Sequence, residues 1–390
     1  MSHAVILKSL RTPIGKFQGA LSALSAPDLG AAVVKALLAQ VPGIQPTEAI
    51  FGNVVGAGIG QAPARIAALR GGLPPTSSAL TINKVCGSGL KAVQLAAAGV
   101  LMGDHEVILA GGMESMTNAP YLLPKLRAGA RMGHAQALDS MIQDGLWCAH
   151  TDQHMGNTGE LVADKYAVGR QAQDQWAAES HAKALKAIQE GAFKAEIVPL
   201  TLPGKKGDTV VDTDEGPRAD CTTESLARLK PAFRKDGTVT AGNAPSVNDG
   251  AAAALVTTED YARAHGLPIQ ARILGWATAG MEPQWVLMAP VDAIRKLLPK
   301  VGWEVSSVDL WEINEAFSVQ MIATAGELSI PVDRINVHGG AVALGHPIGA
   351  SGARVLATLL HALELLGKSR GVAALCLGGG NAIAMAVERV

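Results

Sequence analysis

The segment CGSGLKAVQLAAAGVL at residues 86–101 has a counterpart late in the chain, GASGARVLATLLHAL at residues 349–363. Each is a Gly/Ser turn followed by a helix pattern. A second pair follows in the same order: ILAGGMES at 108–115 and LCLGGGNA at 375–382, each an apolar strand running into glycines. Two echoes in one order point to a duplicated α/β unit. The surrounding pattern agrees. Ala4 to Leu7, Ala79 to Lys84 and Glu106 to Ala110 read as strands, and Ala26 to Leu38 and Leu90 to Met102 as helices. In the last third, Val308 to Ile313 and Val372 to Leu377 read as strands and Ala350 to Leu366 as a helix.

Between about Asn118 and Val247 the character changes, with more charge, proline and loop. One long stretch there, Arg170 to Glu190, places Trp176, Leu185 and Ile188 on a common helical face and stops at Gly191. The expected division is 1–117 with 248–268 as one half, 118–247 as an insertion, and 269–390 as the second half.

With 48% apolar and 17% charged residues, the chain can bury a large core. A formal net charge of −1 gives no basic footprint for nucleic acid or for a membrane surface. The start, MSHAVILKSLRTPIG, reads as a strand and a turn, without the apolar core of a secretory signal. The cytoplasm is the expected compartment. The four cysteines, Cys86, Cys148, Cys221 and Cys376, form no CxxC pair, and no His/Cys spacing suits zinc. No metal and no cofactor are expected.

Four segments carry chemistry. In NKVCGSGL, Cys86 closes a strand just before a helix start, where a helix N-terminus favours thiolate. The alternative is a small buried hydrophobe. In GGAVALGHPIGASGAR, His346 sits in a glycine-dense loop and suits a base for a cysteine; a loop histidine satisfied by backbone is the plain alternative. In ALCLGGGNA, Cys376 ends a strand whose glycines let main-chain N–H groups approach an oxyanion, although a core cysteine fits the same context. In WEINEAF, Asn314 follows a strand and suits holding a water or an oxyanion, or simply capping a helix. Gln61 stands where GAGIGQ needs its third glycine for a dinucleotide fingerprint, and no P-loop or GxSxG is present.

Taken together, CGSGL, NEAF, GHPIGASGAR and CLGGG, with RTPIGKF, GGMESM, QHMG, LKPAFRKDGTVTAGNA and NDGAAA, closely resemble thiolases of the acetyl-CoA acetyltransferase type over the whole chain. The resemblance implies a duplicated thiolase fold, five layers αβαβα, with an inserted loop domain over CoA. It implies that Cys86 carries the acyl group, that His346 activates it, and that Cys376 moves the C2 proton. His346 with a water on Asn314 forms one oxyanion hole, and the N–H groups of Cys86 and Gly378 the other. By the same resemblance, His154 and Met155 line the acyl and pantetheine end. Arg218, Ser225, Leu229 and Phe233 meet nucleotide and pantetheine, and Ala241, Ala244, Ala316 and Phe317 lie beside the tunnel.

Three departures stand out. Pro245 occupies a position where the family often has a serine bonded to pantetheine; either that contact is lost or the adjacent Ser246 replaces it. Val286 to Pro290 lacks the usual glycines. Trp147-Cys148-Ala149 replaces a small polar run at the acyl end.

The implied reaction joins two acetyl-CoA into acetoacetyl-CoA and free CoA, or runs in reverse. A degradative 3-ketoacyl-CoA thiolase for longer chains is the near alternative, and an inactive CoA-binding paralogue the distant one. A ketosynthase or a cysteine peptidase does not need Cys376. A homotetramer or homodimer is implied, with residues 121–140 as the place for tetramer contacts.

Overall fold

The computed structural model describes residues 3–205 and 207–390; Met1 and Ser2 of the first half and Lys206 of the insertion lie outside them. The first half supplies β1 (Ala4–Arg11), α1 (Ala26–Gln40), β2 (Glu48–Gly52), α2 (Pro63–Arg70), β3 (Ser78–Ile82), α3 (Ser88–Met102) and β4 (Val107–Ser115). Helix α1 starts where Ser25 and Asp28 form a reciprocal capping box. The described residues of 118–247 hold α4 (Met155–Tyr166), α5 (Arg170–Glu190), α6 (Thr223–Ala227) and three two-stranded sheets. The chain then returns through β5 (Asn248–Thr258), α7 (Glu259–Ala264) and β6 (Ala271–Gly280). It closes with α8 (Ala289–Lys300), β7 (Leu310–Ile313), α9 (Ser318–Leu328), α10 (Ala341–Leu344), α11 (Ser351–Leu365), β8 (Arg370–Leu377) and β9 (Asn381–Arg389).

The strands form one hydrogen-bonded path in the order β7-β8-β9-β6-β1-β5-β4-β2-β3, with the two-residue strand Gly15–Lys16 paired to β5. In each half, parallel strands (β3, β2 and β4; β7 and β8) lie at the outer edge and antiparallel ones toward the join. The halves join through a short antiparallel register, Ala4 on Ile273 to Ile6 on Ala271.

Strand alternation then builds the layers. Ile6, Ile108, Ala254, Leu375 and Met385 all face a central core with Leu90 and Val93 of α3 and Leu356 and Leu360 of α11. The intervening residues of the first half, such as Val5, Val107 and Leu109, face α1 and α2. Those of the second half, Val372, Ala374 and Cys376, face α8 and α9. The result is five layers: α1/α2, sheet, α3/α11, sheet, α8/α9. The two echoed Gly/Ser turns pack on each other at its centre. A Cβ on Gly89 would strike the Ala353 backbone, and one on Gly352 would strike the Leu90 backbone.

Val85–Met102 is long and apolar enough to cross a membrane by length and composition; in this fold α3 fills the central layer. One expectation is refined. Helix α5 has the expected bounds and a left-handed Gly191 cap, but its buried face is Gln173, Trp176, Ala177, Ser180, Ala184 and Ala187. Leu185 and Ile188 are only half-buried, because that face meets polar groups of the 315 and 336–342 segments.

Candidate active site

Cys86 stands on a strained elbow. The residue before it, Val85, has φ +47°, a left-handed conformation that a β-branched side chain rarely adopts. Ser88 holds the elbow: its hydroxyl accepts from Lys84 N–H at 2.8 Å and donates to the Val85 carbonyl at 2.7 Å. After Cys86, the chain passes so close to β8 that a Cβ on Gly87 would strike Leu377. That approach brings the two cysteine turns together. The N–H groups of Cys86 and Gly378 favour the Cys86 thiolate, and Cys86 in turn raises Cys376. Val54, Val55, Met116 and Ile348, with half-buried Met141 and Leu146, surround the Cys86 side with apolar atoms.

Burial decides the charge states. It pushes the Cys86 thiol up to about 12; the two N–H groups pull it down and the charge of Glu114 pushes it up further. The expectation that the helix start would lower this thiol is therefore reversed: loss of solvent around a buried thiolate outweighs two hydrogen bonds. Cys376, at the end of β8, is raised by burial and then by the neighbouring Cys86. Burial, with Arg354 adding to it, pulls His346 down to about 3. At neutral pH the group is two thiols and a neutral imidazole.

His346 is fixed on all sides. Its backbone N–H donates to Asn248 Oδ1 at 2.9 Å. Its Nδ1 lies 2.6 Å from Ser351 Oγ, and Ser351 donates its own proton to the Pro347 carbonyl at 2.8 Å. With that hydrogen committed, Nδ1 carries the proton and donates to Ser351, which leaves the Nε2 lone pair free to accept a proton. Ser88 and Ser351 occupy matching places in the two echoed turns, and each steadies one reactive residue.

Asn314 is fully buried at the end of β7, and among the described residues neither its amide oxygen nor its amide nitrogen has a partner. An unpaired buried amide costs about 1–3 kcal/mol. The residue at the same point of the first half, Asn53 after β2, is satisfied by the Met113 carbonyl and Glu114. The contrast marks Asn314 as an amide available to an oxygen from outside the protein.

The residues expected at the CoA site divide into two groups. The first converges on the core around α9. His154 caps α4 and stacks on Phe233 at 4.9 Å, and Phe233 meets Phe317 edge-on at 6.5 Å. Met155, Ala244 and Ala316 pack in the same cluster as Phe317 and Cys376. The second lies around α6. Ser225 spends its hydroxyl capping α6, bonding to the Asp220 and Thr222 carbonyls. Exposed Arg218 reaches toward Cys221, and Leu229 abuts Gly242, next to exposed Ala241. Ser246 donates to Asn248 at 2.9 Å and so adjoins the His346 support. Trp147 pairs across a short strand with His154, its indole N–H on Asp152.

Sequence reasoning missed Ser88, Ser351, Asn248 and Glu114. The echo of the two turns carried a signal for the serines. Asn248 and Glu114 are set by contacts remote in sequence.

Residues 4–260 match the family model for the thiolase N-terminal domain, and residues 267–389 the thiolase C-terminal domain. The chain is 52% identical to an acetyl-CoA acetyltransferase of Pseudomonas aeruginosa, covering 100% of both. It is 49% identical to a probable acetyl-CoA acetyltransferase of Escherichia coli K12, again over 100% of each. The crystal structure of the Bacillus anthracis acetyl-CoA acetyltransferase superposes with a TM-score of 0.98 at 41% identity, covering 100% of this chain and 99% of that one. With these matches along its whole length, this chain belongs to the thiolase family of acyltransferases.

Proposed function

We infer that the chain is an acetyl-CoA C-acetyltransferase that condenses two acetyl-CoA to acetoacetyl-CoA and CoA and runs the reverse thiolysis. The observation that carries this reading is the close approach of the two cysteine turns, Gly87 against Leu377 and Gly378 against Val85, each residue within two positions of Cys86 or Cys376. One thiol can attack a carbonyl while the other handles a carbon-bound proton beside it.

In the forward direction His346 Nε2 takes the Cys86 proton as the sulfur attacks the acetyl carbonyl. The proton leaves with CoA as its thiol, and Cys86 holds the acetyl group. Cys376, its own proton lodged on His346, then takes a proton from C2 of the second acetyl-CoA. The carbanion attacks the acetyl carbonyl, and Cys86 leaves and recovers its proton from His346. The N–H groups of Cys86 and Gly378 hold one developing oxyanion, and His346 with a water on Asn314 holds the other. The three ionisable groups titrate as a set.

The insertion at 118–247 covers CoA in this reading, between the halves at 1–117 with 248–268 and 269–390. His154, Met155, Phe233 and Phe317 meet pantetheine, and Arg218, Ser225 and Leu229 its outer end. The enzyme needs no metal or cofactor and works in the cytoplasm as a homo-oligomer without nucleic acid or membrane. Exposed Tyr121, Leu123, Leu126 and Met132 support contacts between subunits.

CoA-dependent cleavage of acetoacetyl-CoA and of a long-chain 3-ketoacyl-CoA, beside Cys86→Ala, tests the reading. Cleavage of the short substrate, abolished in the variant, is expected. Preference for the long substrate transfers the enzyme to fatty-acid degradation. No cleavage of either, with CoA still bound, leaves an inactive paralogue.

A further inference from the structure

Between Val342 and Gly349, the segment that carries His346 has three backbone N–H groups accepted by side chains from elsewhere in the chain. Asn248 takes the one at His346 itself. The other two lie toward the ends and go to two buried glutamates. Glu315 Oε2 accepts from Val342 N–H at 3.0 Å, four residues before His346. Glu114 Oε2 accepts from Gly349 N–H at 2.8 Å, three residues after it.

Both glutamates are almost wholly buried, and both are saturated with donors. The Glu114 carboxylate also accepts from Asn53 Nδ2 and from the N–H groups of Val54 and Val55. Glu315 also accepts from Trp176 Nε1 and Ser180 Oγ of α5 and from Asn336 Nδ2. Glu114 thus ties the loop to the first half, and Glu315 ties it to the insertion and to the turn that bears Asn314.

We propose that Glu114 and Glu315 are a pair of positioning residues that hold the His346 loop from its two ends, one from each half of the duplication. The proposal rests on the reading of His346 as the base. Glutamine has the shape of glutamate but only one acceptor oxygen. At Glu114 its NH2 group must face two N–H donors on either side. At Glu315 it can face Ser180, whose hydroxyl can reverse, but it then confronts Val342 N–H. In both cases an anchor is lost without a change in volume.

The experiment is steady-state thiolysis of acetoacetyl-CoA by Glu114→Gln, Glu315→Gln and the double variant, with thermal melts. A displaced base costs about 10²-fold in kcat. That loss is expected in each single variant, with the KM for CoA held in Glu114→Gln and raised in Glu315→Gln, which also loosens α5. Lower melting temperatures with unchanged kcat would overturn the proposal. If a Gln variant does not fold, Asn53→Ser and Ser180→Ala weaken the same clamps, and unchanged kcat in both overturns it equally. If the wild type itself cleaves nothing, the catalytic reading has failed separately. The clamp is then judged by the imidazole nitrogen NMR signals of His346, which shift in the Gln variants if it is right and stay in place if it is wrong.

Discussion

Val85 at φ +47° and Asn314 with an unpaired amide are costs that a purely structural chain would avoid. Both lie at the site, one presenting a sulfur and the other an amide. The thiol beside the strained residue is protonated at rest, and this has consequences with definite signs. Cys86, held at about 12, keeps its proton where an unfolded chain releases it near 9.0. Its contribution to stability is complete below pH 9.0 and is lost as pH rises toward about 12. His346, held at about 3 against an ordinary 6.5, acts at the other end. Its contribution is complete above 6.5 and is lost as pH falls toward about 3. Alkylation of Cys86 by iodoacetamide, without acyl-CoA, should therefore climb steadily from pH 7 to pH 10. A plateau below pH 8 contradicts the buried neutral thiol. Cys86, His346, Cys376 and Asn314 stood out in the sequence because glycines and strand ends surround them. Their supports did not, because Asn248 and Glu114 reach the His346 loop from 98 and 235 positions away.

At the scale of elements, the two echoed turns do more than start helices. Their serines brace the reactive residues, and the glycine between Cys86 and Ser88 lets the first turn lie on β8. Gly87→Ala would put a methyl group into Leu377. Overpacking of this kind costs about 1–3 kcal/mol. Forcing the turns apart should also lower kcat far more than it raises KM. A melt paired with kinetics checks both, and a fully active Gly87→Ala would show that the two cysteines need no such approach. Strand and helix positions were readable from periodicity and from caps such as Gly191. The buried face of α5 was not, since Gln173 and Ser180 are buried there by polar partners, including Glu315 for Ser180, that no apolar period records.

Across the whole molecule, the duplication was visible as two echoes, while the continuous strand path through β1 and β6 was not. Among the described residues, one short register makes that join. The RTPIGKF segment, noticed as a family motif, has a structural task. Arg11 is fully buried and pairs with Asp214 at 2.7 and 2.9 Å and with Glu196 at 2.6 Å, binding β1 to the insertion. Removing one partner of a buried pair leaves uncompensated charge and costs about 3–5 kcal/mol. Arg11→Ala should therefore lower the denaturant midpoint strongly, and a midpoint equal to wild type would deny the insertion this anchor.

The most direct test of the whole account is to incubate the protein with acetyl-CoA, quench in acid and map the acetyl group by peptide mass spectrometry. Acetyl on the Cys86 peptide, retained in Cys376→Ala and absent from Cys86→Ala, is the predicted result. Acetyl on Cys376 or Cys148 instead, or on no cysteine at all, would contradict it.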